Sequence, residues 1–298
     1  MHELATPLLV GLVIIALAFD FLNGLHDAAN SIATVVSTRL ISPVWAVVFA
    51  AFGNFAAYWI MGLKVADTIG KGIINKDIVT PGVVFGALVG AMFWNVVTWL
   101  KGIPSSSSHA LVGGIVGAGV AHAGMEGIIW GGLNKTLIAI VLSPTIGMMI
   151  SMLIMLLSSW AMKDATARKA EGGFKSLHLL SSATYSISHG LNDAQKTMGI
   201  IVGLLVSTQH LFRDATGWQA ALYLPNADTI PLWIEMAAYS AIALGTALAS
   251  DSLYALVLRW VAIDPELWRS GSPFVPVWQL FTYGFLHSTT NLMHIVFN

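Results

Sequence analysis

Two acidic motifs of closely similar sequence occupy the two halves of the chain. Residues 24–31 read Gly-Leu-His-Asp-Ala-Ala-Asn-Ser, and residues 190–197 read Gly-Leu-Asn-Asp-Ala-Gln-Lys-Thr. Each motif places one aspartate, Asp27 or Asp193, among amides and hydroxyls in a sequence that carries few other charges. Oxygen atoms of these kinds are ligands for hard cations such as Na⁺, and an intramembrane carboxylate can also carry a proton. The motifs therefore indicate a site for a cation or a proton.

Helical spacing arranges each motif as a polar stripe on an otherwise apolar helix. The stripe of the first motif comprises Asn23, Asp27, Asn30, Ser31 and Thr34. The stripe of the second motif comprises His189, Asp193, Lys196 and Thr197. The glycine before each acid predicts local unwinding that exposes carbonyl oxygens to a cation. The alternative is that each aspartate only bonds a neighbouring helix, but its repetition at matched positions favours a binding role.

A third polar stretch has different chemistry. Residues 104–109 read Pro-Ser-Ser-Ser-Ser-His and precede an apolar run that ends near Val120. Proline can start a helix, serines cap it, and the free N–H groups of a helix start bind anions. A serine-rich interfacial loop is the alternative, and the two acidic motifs favour the anion site. Of the histidines in the motifs, we expect His109 to touch the anion. We expect His26 and His189 to contact the ligand residues and not the ion itself.

The composition is that of a polytopic membrane protein. The chain has 298 residues, of which 56% are hydrophobic and only 10% charged, and its mean hydropathy is +0.75. Soluble domains usually carry about 25% charged residues. The net charge of −1 gives no indication of a nucleic-acid partner, and the absence of cysteine excludes disulfides and thiolate metal sites. The first apolar run lacks a basic flank, so we interpret it as a retained membrane helix.

The order of apolar segments predicts an all-α protein. Spans of roughly 20 apolar residues are expected at 8–22 (most of the first span), 44–63, 82–100, 136–162 and 232–249. The second half opens with two apolar pieces, 177–188 and 198–206, on either side of the second motif. The run after Ser108 is too short to span comfortably, which predicts a re-entrant or broken segment. We divide the chain into a first transmembrane repeat (1–162), a cytoplasmic basic loop (163–176), an incomplete second repeat (177–250) and a divergent C-terminal segment (251–298).

The three motifs together resemble the signatures of the inorganic phosphate transporter (PiT) family. They are residues 23–31, 104–109 and 189–199, in the family's order and spacing, and the resemblance extends from about Leu12 to Thr246. The family consists of secondary carriers that move phosphate with Na⁺ or H⁺. The resemblance implies two inverted-topology repeats that rock around a shared site. It implies a multi-pass protein of the cell membrane that is not an enzyme and uses no cofactor.

Roles for individual residues follow from the polar pattern of the motifs together with the resemblance, which by position carries over Asp27, Asn30, Ser105, Ser108, Asp193 and Gln195. The expected phosphate-binding residues are Ser105, Ser106, Ser107, Ser108, His109 and Gln195. The expected ligands of the coupling cation are Asn23, Asp27, Asn30, Asp193, Asn192 and Thr197, with Na⁺ at Asp27 and Asp193 as the metal. The expected partners are phosphate, free or as a metal complex, Na⁺ or H⁺, and the lipid bilayer, while assembly into a homo-oligomer stays open.

The chain departs from the family pattern after residue 246. The second-half counterpart of residues 104–109 is missing, and residues 288–290 (Ser-Thr-Thr) resemble it only weakly. We therefore expect one half of the phosphate site to be absent and this chain to be poorly active alone. Two alternatives remain, a carrier of sulfate or another oxyanion with the same architecture, and an intramembrane serine hydrolase using one of residues 105–108 with a histidine.

The basic segment Lys163–Lys175 should face the cytoplasm, because it holds the densest excess of positive charge near two spans. Asp164→Cys and Lys175→Cys, made singly in this cysteine-free chain, should resist impermeant thiol reagents in intact cells and react after permeabilisation. Ready labelling of intact cells would reverse the orientation.

Overall fold

The computed structural model describes residues 2–60, 72–103, 105–227 and 229–249, and these residues are almost entirely helical. The helices are α1 (His2–Ser37), α2 (Pro43–Ile60), α3 (Pro81–Lys101), α4 (Ser107–Ala123), α5 (Trp130–Met162), α6 (Ala167–Ser207), α7 (Gln209–Phe212) and α8 (Leu232–Leu248). Short 3₁₀ helices cover Lys76–Ile78, Gly124–Gly127 and Gly217–Leu222. Within these ranges the extended structure is limited to one isolated bridge between Ile74 and Ile128.

Several helices match the dimensions of a lipid bilayer. Three described helices contain stretches long and apolar enough to cross a membrane, Thr6–Ser37, Pro81–Lys101 and Trp130–Met162. Two apolar helices are slightly shorter, Pro43–Trp59 and Leu232–Leu248. Helix α5 presents large apolar side chains such as Ile138, Met149 and Leu156 on its outer surface. Such a surface is stable next to lipid, which agrees with the predicted class of protein.

The two motif-bearing helices, α1 and α6, cross each other in antiparallel orientation at the motifs. The Asn23 amide of α1 donates to Asp193 of α6 at 3.1 Å. One turn further along α1, Asp27 lies 3.6 Å from Nε2 of His189, which is one turn earlier in α6. Further on, the backbone carbonyl of Ser31 accepts from the Ser182 hydroxyl at 2.9 Å. The contacts advance along α1 as they recede along α6, so the crossing brings both aspartates together.

The four central helices, α1, α2, α6 and α8, pack closely against one another at glycines. A Cβ added at Gly24 would lie 2.1 Å from the Ile242 carbonyl oxygen, and one at Gly190 would lie 2.3 Å from the Asn54 carbonyl oxygen. Gly245 packs equally tightly against the backbone of Phe21. Neighbouring helix backbones therefore touch at the motifs, as is common where small residues line membrane-helix contacts.

The predicted unwinding at the motif glycines is wrong. Gly24 and Gly190 both lie inside continuous helices, α1 and α6. Helix α1 carries the first apolar run and the first motif without a break, since it runs from His2 to Ser37. The polar groups of the motifs find partners on adjacent helices, so the backbone does not have to open. At Gly24 and Gly190, glycine allows a close helix contact and no change of backbone conformation.

The basic segment also differs from the prediction of a loop. Helix α5 ends at Met162 and α6 begins at Ala167, so only residues 163–166 connect them. Within the segment Glu171 and Lys175 form an exposed ion pair of 2.6 Å one helical turn apart, which is compatible with helix. The divergent segment 251–298 lies outside the described residues. The division into repeats therefore remains a prediction.

Gly24→Ala and Gly190→Ala should each destabilise the bundle by about 1–3 kcal/mol, because the added methyl group meets a backbone carbonyl that cannot rotate away. Gly11→Ala in α1 and Gly203→Ala in α6 are matched controls, since a Cβ there meets nothing within 4 Å. The controls should be neutral or slightly stabilising. Thermal unfolding of the purified variants measures both. Equal unfolding temperatures for Gly190→Ala and Gly203→Ala would contradict the close contact.

Candidate functional site

The two aspartates and a histidine form the centre of a buried polar cluster. Asp27 is 8% exposed and Asp193 is 7% exposed. His189 places its Nε2 atom 3.1 Å from Asp193 Oδ2 and 3.6 Å from Asp27 Oδ2. Ligand atoms of these three residues all lie within 4.8 Å of one another, a separation that one metal ion could bridge. The motifs thus converge on one point, as the sequence predicts.

Helix α2 fixes the orientation of the His189 ring. The amide nitrogen of Asn54 donates to the Thr246 hydroxyl at 2.8 Å, so its oxygen faces Nδ1 of His189 at 3.1 Å. That oxygen can only accept, so we assign the proton of the neutral ring to Nδ1. Nε2 faces Asp193 and Asp27, so it donates to the carboxylates when the ring is protonated and offers a lone pair between them when the ring is neutral. Such an outer contact on the second ring nitrogen is typical of a metal-ligating histidine.

The start of α4 meets the acids directly. The Ser107 hydroxyl donates to Asp27 Oδ2 at 3.3 Å, and Ser107 is fully buried. Ser106 is the N-cap residue and makes no side-chain capping bond. The first N–H groups of α4 are therefore not occupied by a side-chain cap, and a helix start in this condition attracts anions. The serine-rich stretch and the acidic motifs form one site.

Lys196 connects the serines to the second motif. Its ammonium group donates to both the Ser108 hydroxyl and the Asp193 carboxylate. His26 and Asn30 complete the surroundings of Asp27, at 2.8 Å and 3.5 Å from its Oδ1 atom. The cluster therefore combines carboxylates that can bind a cation with an ammonium group, hydroxyls and a helix start that can bind an anion.

The structure places other candidate residues away from this centre. Asn192 is exposed and bonds the Ser188 carbonyl of its own helix at 2.9 Å. Ser105 accepts from the indole of Trp94 at 3.2 Å, and His109 is exposed. These positions follow from helix geometry, because a residue adjacent to one that faces the centre is rotated by roughly 100°. Gln195 and Thr197 lie on α6, with Gln195 half-buried and Thr197 fully buried.

Two residues contribute more than the sequence reasoning assigned to them. His189 was expected behind the ligands, but its ring lies between the two acids. Lys196 was not among the expected ligands, although it joins Asp193 and Ser108. The available signal was the polar stripe of the second motif, which contains both residues. Only the antiparallel crossing shows that the two stripes face each other.

The hydrolase alternative needs a serine in contact with a histidine. Among the described residues, Ser107 donates to Asp27 and Ser108 accepts from Lys196. Within the same ranges no hydrogen bond joins a serine of residues 105–108 to a histidine ring. The described residues therefore lack the serine–histidine contact that the hydrolase alternative requires.

These features define a polytopic membrane protein with a buried cluster of carboxylate, histidine, serine and lysine side chains inside its helix bundle. Residues 23–257 match the phosphate transporter family, and the chain belongs to that family. The matched region contains all three motifs, in agreement with the resemblance drawn from them.

Comparisons with individual proteins agree. The chain is 53% identical over 243 residues to a probable low-affinity inorganic phosphate transporter of Rhizobium meliloti (strain 1021), covering 82% of this chain and 69% of the relative. It is 39% identical over 239 residues to the protein of the same description in Bacillus subtilis (strain 168), covering 80% and 68%. A solved structure described as "The sodium-dependent phosphate transporter" shares the fold, with a TM-score of 0.72 and 23% identity over 96% of this chain and 84% of that one.

The ion pair between Lys196 and Asp193 should couple measurably in a double-mutant cycle. Lys196→Met should lower the free energy of unfolding by about 1–3 kcal/mol, because it leaves a carboxylate that is 9% exposed without its cation. In an Asp193→Asn background the same change should cost less. Lys175→Met is the control and should change stability little, since the Lys175–Glu171 pair is exposed and screened by solvent. Unfolding should be measured in choline buffer without Na⁺. Equal costs in both backgrounds would contradict the pair.

Proposed function

We propose that this protein is a secondary carrier of the cell membrane that moves inorganic phosphate together with Na⁺ or H⁺. The hydrogen bond from Ser107 to Asp27 is the observation that carries the proposal. It joins a helix start suited to an anion with a carboxylate suited to a cation. A site that holds both ions side by side can couple the movement of one to the other.

The cation half of the site consists of Asp27, Asp193 and the Nε2 atom of His189. Two carboxylates and a lone pair offer hard and borderline ligands at one point. The alternative cation is a proton held by either carboxylate. Entry of either cation lowers the negative charge that an arriving anion meets.

The phosphate half of the site lies between the start of α4 and Lys196. Ser107 and Ser108 supply hydroxyls, the first N–H groups of α4 supply donors, and Lys196 supplies a positive charge. In the structure Lys196 bonds Asp193 and Ser108. An arriving phosphate would therefore share the ammonium group of Lys196 with the Asp193 carboxylate. A cation at Asp193 would release Lys196 toward phosphate, which links the two bindings. Relatives described as low-affinity phosphate transporters support phosphate as the substrate.

Two inverted repeats are the architecture that we infer. The antiparallel crossing of α1 and α6 brings equivalent positions of the two motifs together, since Asn23 contacts Asp193 and His189 contacts Asp27. The pair Gly53–Asn54 of α2 and the pair Gly245–Thr246 of α8 behave alike, each glycine packing on the opposite motif helix. Asn54 and Thr246 hydrogen bond to each other at 2.8 Å. These reciprocal contacts support an approximate twofold axis through the point where α1 and α6 cross.

Phosphate uptake in a host that lacks its own phosphate carriers tests the function. Uptake of labelled phosphate should depend on Na⁺ or on pH when the two are varied separately, and excess sulfate should not compete. Asp27→Asn and Asp193→Asn should each abolish the cation-dependent uptake while the protein stays in the membrane, because the substitution keeps size and removes charge. A variant with normal uptake and unchanged dependence on Na⁺ and pH would exclude its aspartate. Inhibition by sulfate would favour the oxyanion alternative.

The serines should separate into two groups. Ser107→Ala with Ser108→Ala should raise the apparent phosphate constant roughly tenfold or more, since each lost hydrogen bond to a charged group costs about 1.5–3 kcal/mol. Ser105→Ala is the matched control and should change it little, because Ser105 bonds Trp94 instead. Saturation curves of uptake at fixed expression measure the difference. Equal constants for the parent and the double variant would place the anion elsewhere.

A further inference from the structure

A third carboxylate lies in the same helix bundle and has no assigned role. Asp20 precedes Asp27 by two helical turns on α1, which places it on the same face about 10 Å along the axis. Its side chain is fully buried, at 0% exposure. Neither of its carboxylate oxygens has a hydrogen-bond partner within the described ranges. A buried carboxylate without partners is costly unless something binds it or neutralises it.

The groups around Asp20 are oxygen atoms that also lack partners. The Thr197 side chain of α6 lies beside the Asp20 carboxylate and is fully buried. Its hydroxyl approaches the Asp20 carboxylate without reaching the geometry of a full hydrogen bond, and the Oδ1 atom of Asn23 likewise has no hydrogen bond of good geometry among the described residues. Asn23 lies one turn from Asp20 on α1, and its Nδ2 atom is already used by Asp193. Its free oxygen is therefore an acceptor only.

The charges near Asp20 do not neutralise it. Asp193, His189 and Lys196 of α6 are the charged or titratable groups of that helix whose fields reach Asp20. Tyr239 of α8 feels the charges of both Asp20 and Glu235. Lys196 is committed to Asp193 and Ser108. Three carboxylates, Asp20, Asp27 and Asp193, thus share one ammonium group when the histidines are neutral.

We propose that Asp20, Thr197 and Asn23 form a second cation site, separate from the one between Asp27 and Asp193, and that it takes Na⁺. One carboxylate with a hydroxyl and an amide oxygen balances a single positive charge and offers only hard ligands. A divalent ion would leave an excess positive charge in a dry surrounding. Occupation of both sites by Na⁺ would neutralise the cluster before phosphate enters. The inference deepens the proposed function, and its Na⁺ binding can be measured without transport.

The test uses the purified 298-residue protein and Na⁺ alone, without phosphate. Binding of radioactive Na⁺, with choline as the replacement ion, should give one bound Na⁺ fewer in Asp20→Asn than in the parent. Thr197→Val keeps the side-chain shape and should weaken one binding event at least about tenfold, and Thr197→Ser should restore it. If Asp20→Asn does not fold, Thr197→Val alone tests the second site. Glu235→Gln removes another buried acid, at 2% exposure, and should leave Na⁺ binding unchanged.

The outcomes separate this inference from the proposed function. The second site would be overturned if folded Asp20→Asn, or Thr197→Val, bound as many Na⁺ ions as the parent with the same affinity. That result would not bear on the proposed phosphate transport. A parent that loses one Na⁺ on these substitutions but moves no phosphate would support the second site and count against the proposed function. Loss of Na⁺ binding in Glu235→Gln to the same extent as in Asp20→Asn would also overturn it, since the effect would then belong to any buried acid.

Discussion

The structure depends on the cost of placing carboxylates inside an apolar helix bundle. Asp20, Asp27 and Asp193 are each buried, at 0%, 8% and 7% exposure. Removing such groups from water costs several kcal/mol unless hydrogen bonds or opposite charges compensate. Asp27 and Asp193 have contacts from α1, α4 and α6, whereas Asp20 has no hydrogen bond within the described part. In the proposed carrier, this partly compensated negative charge favours the binding of cations and makes phosphate entry depend on them.

The close helix packing follows from the same requirement. A carboxylate on α1 can be compensated by α6 only if their backbones approach closely at the motifs. Gly24 and Gly190 permit that approach, because each lies where any side chain would meet a backbone carbonyl of α8 or α2. Helices α2 and α8 are in turn held by the Asn54–Thr246 hydrogen bond, and Asn54 also orients His189. Packing and site chemistry therefore use the same four helices.

Much of this arrangement could be predicted from the sequence, because it rests on residue type and repetition. The matched positions of Asp27 and Asp193, and the serine stretch before α4, indicated one shared site and the family that the comparisons confirm. The continuity of α1 and α6 could not be predicted, since a glycine beside an acid is compatible with an open helix or with a tight contact. The positions of the remaining side chains depend on helix phase. Whether Asn192 or Lys196 faces the acids depends on which side of α6 meets α1, and only the packing determines that.

Calorimetric titration of phosphate into the purified 298-residue protein tests the central claim most directly. The claim is that cations must reduce the charge of the buried carboxylates before the anion binds. We predict that apparent phosphate affinity rises with Na⁺ concentration at fixed pH, or with proton concentration in choline buffer, and that binding is weakest when both are low. Phosphate affinity that stays constant across both series would contradict the account.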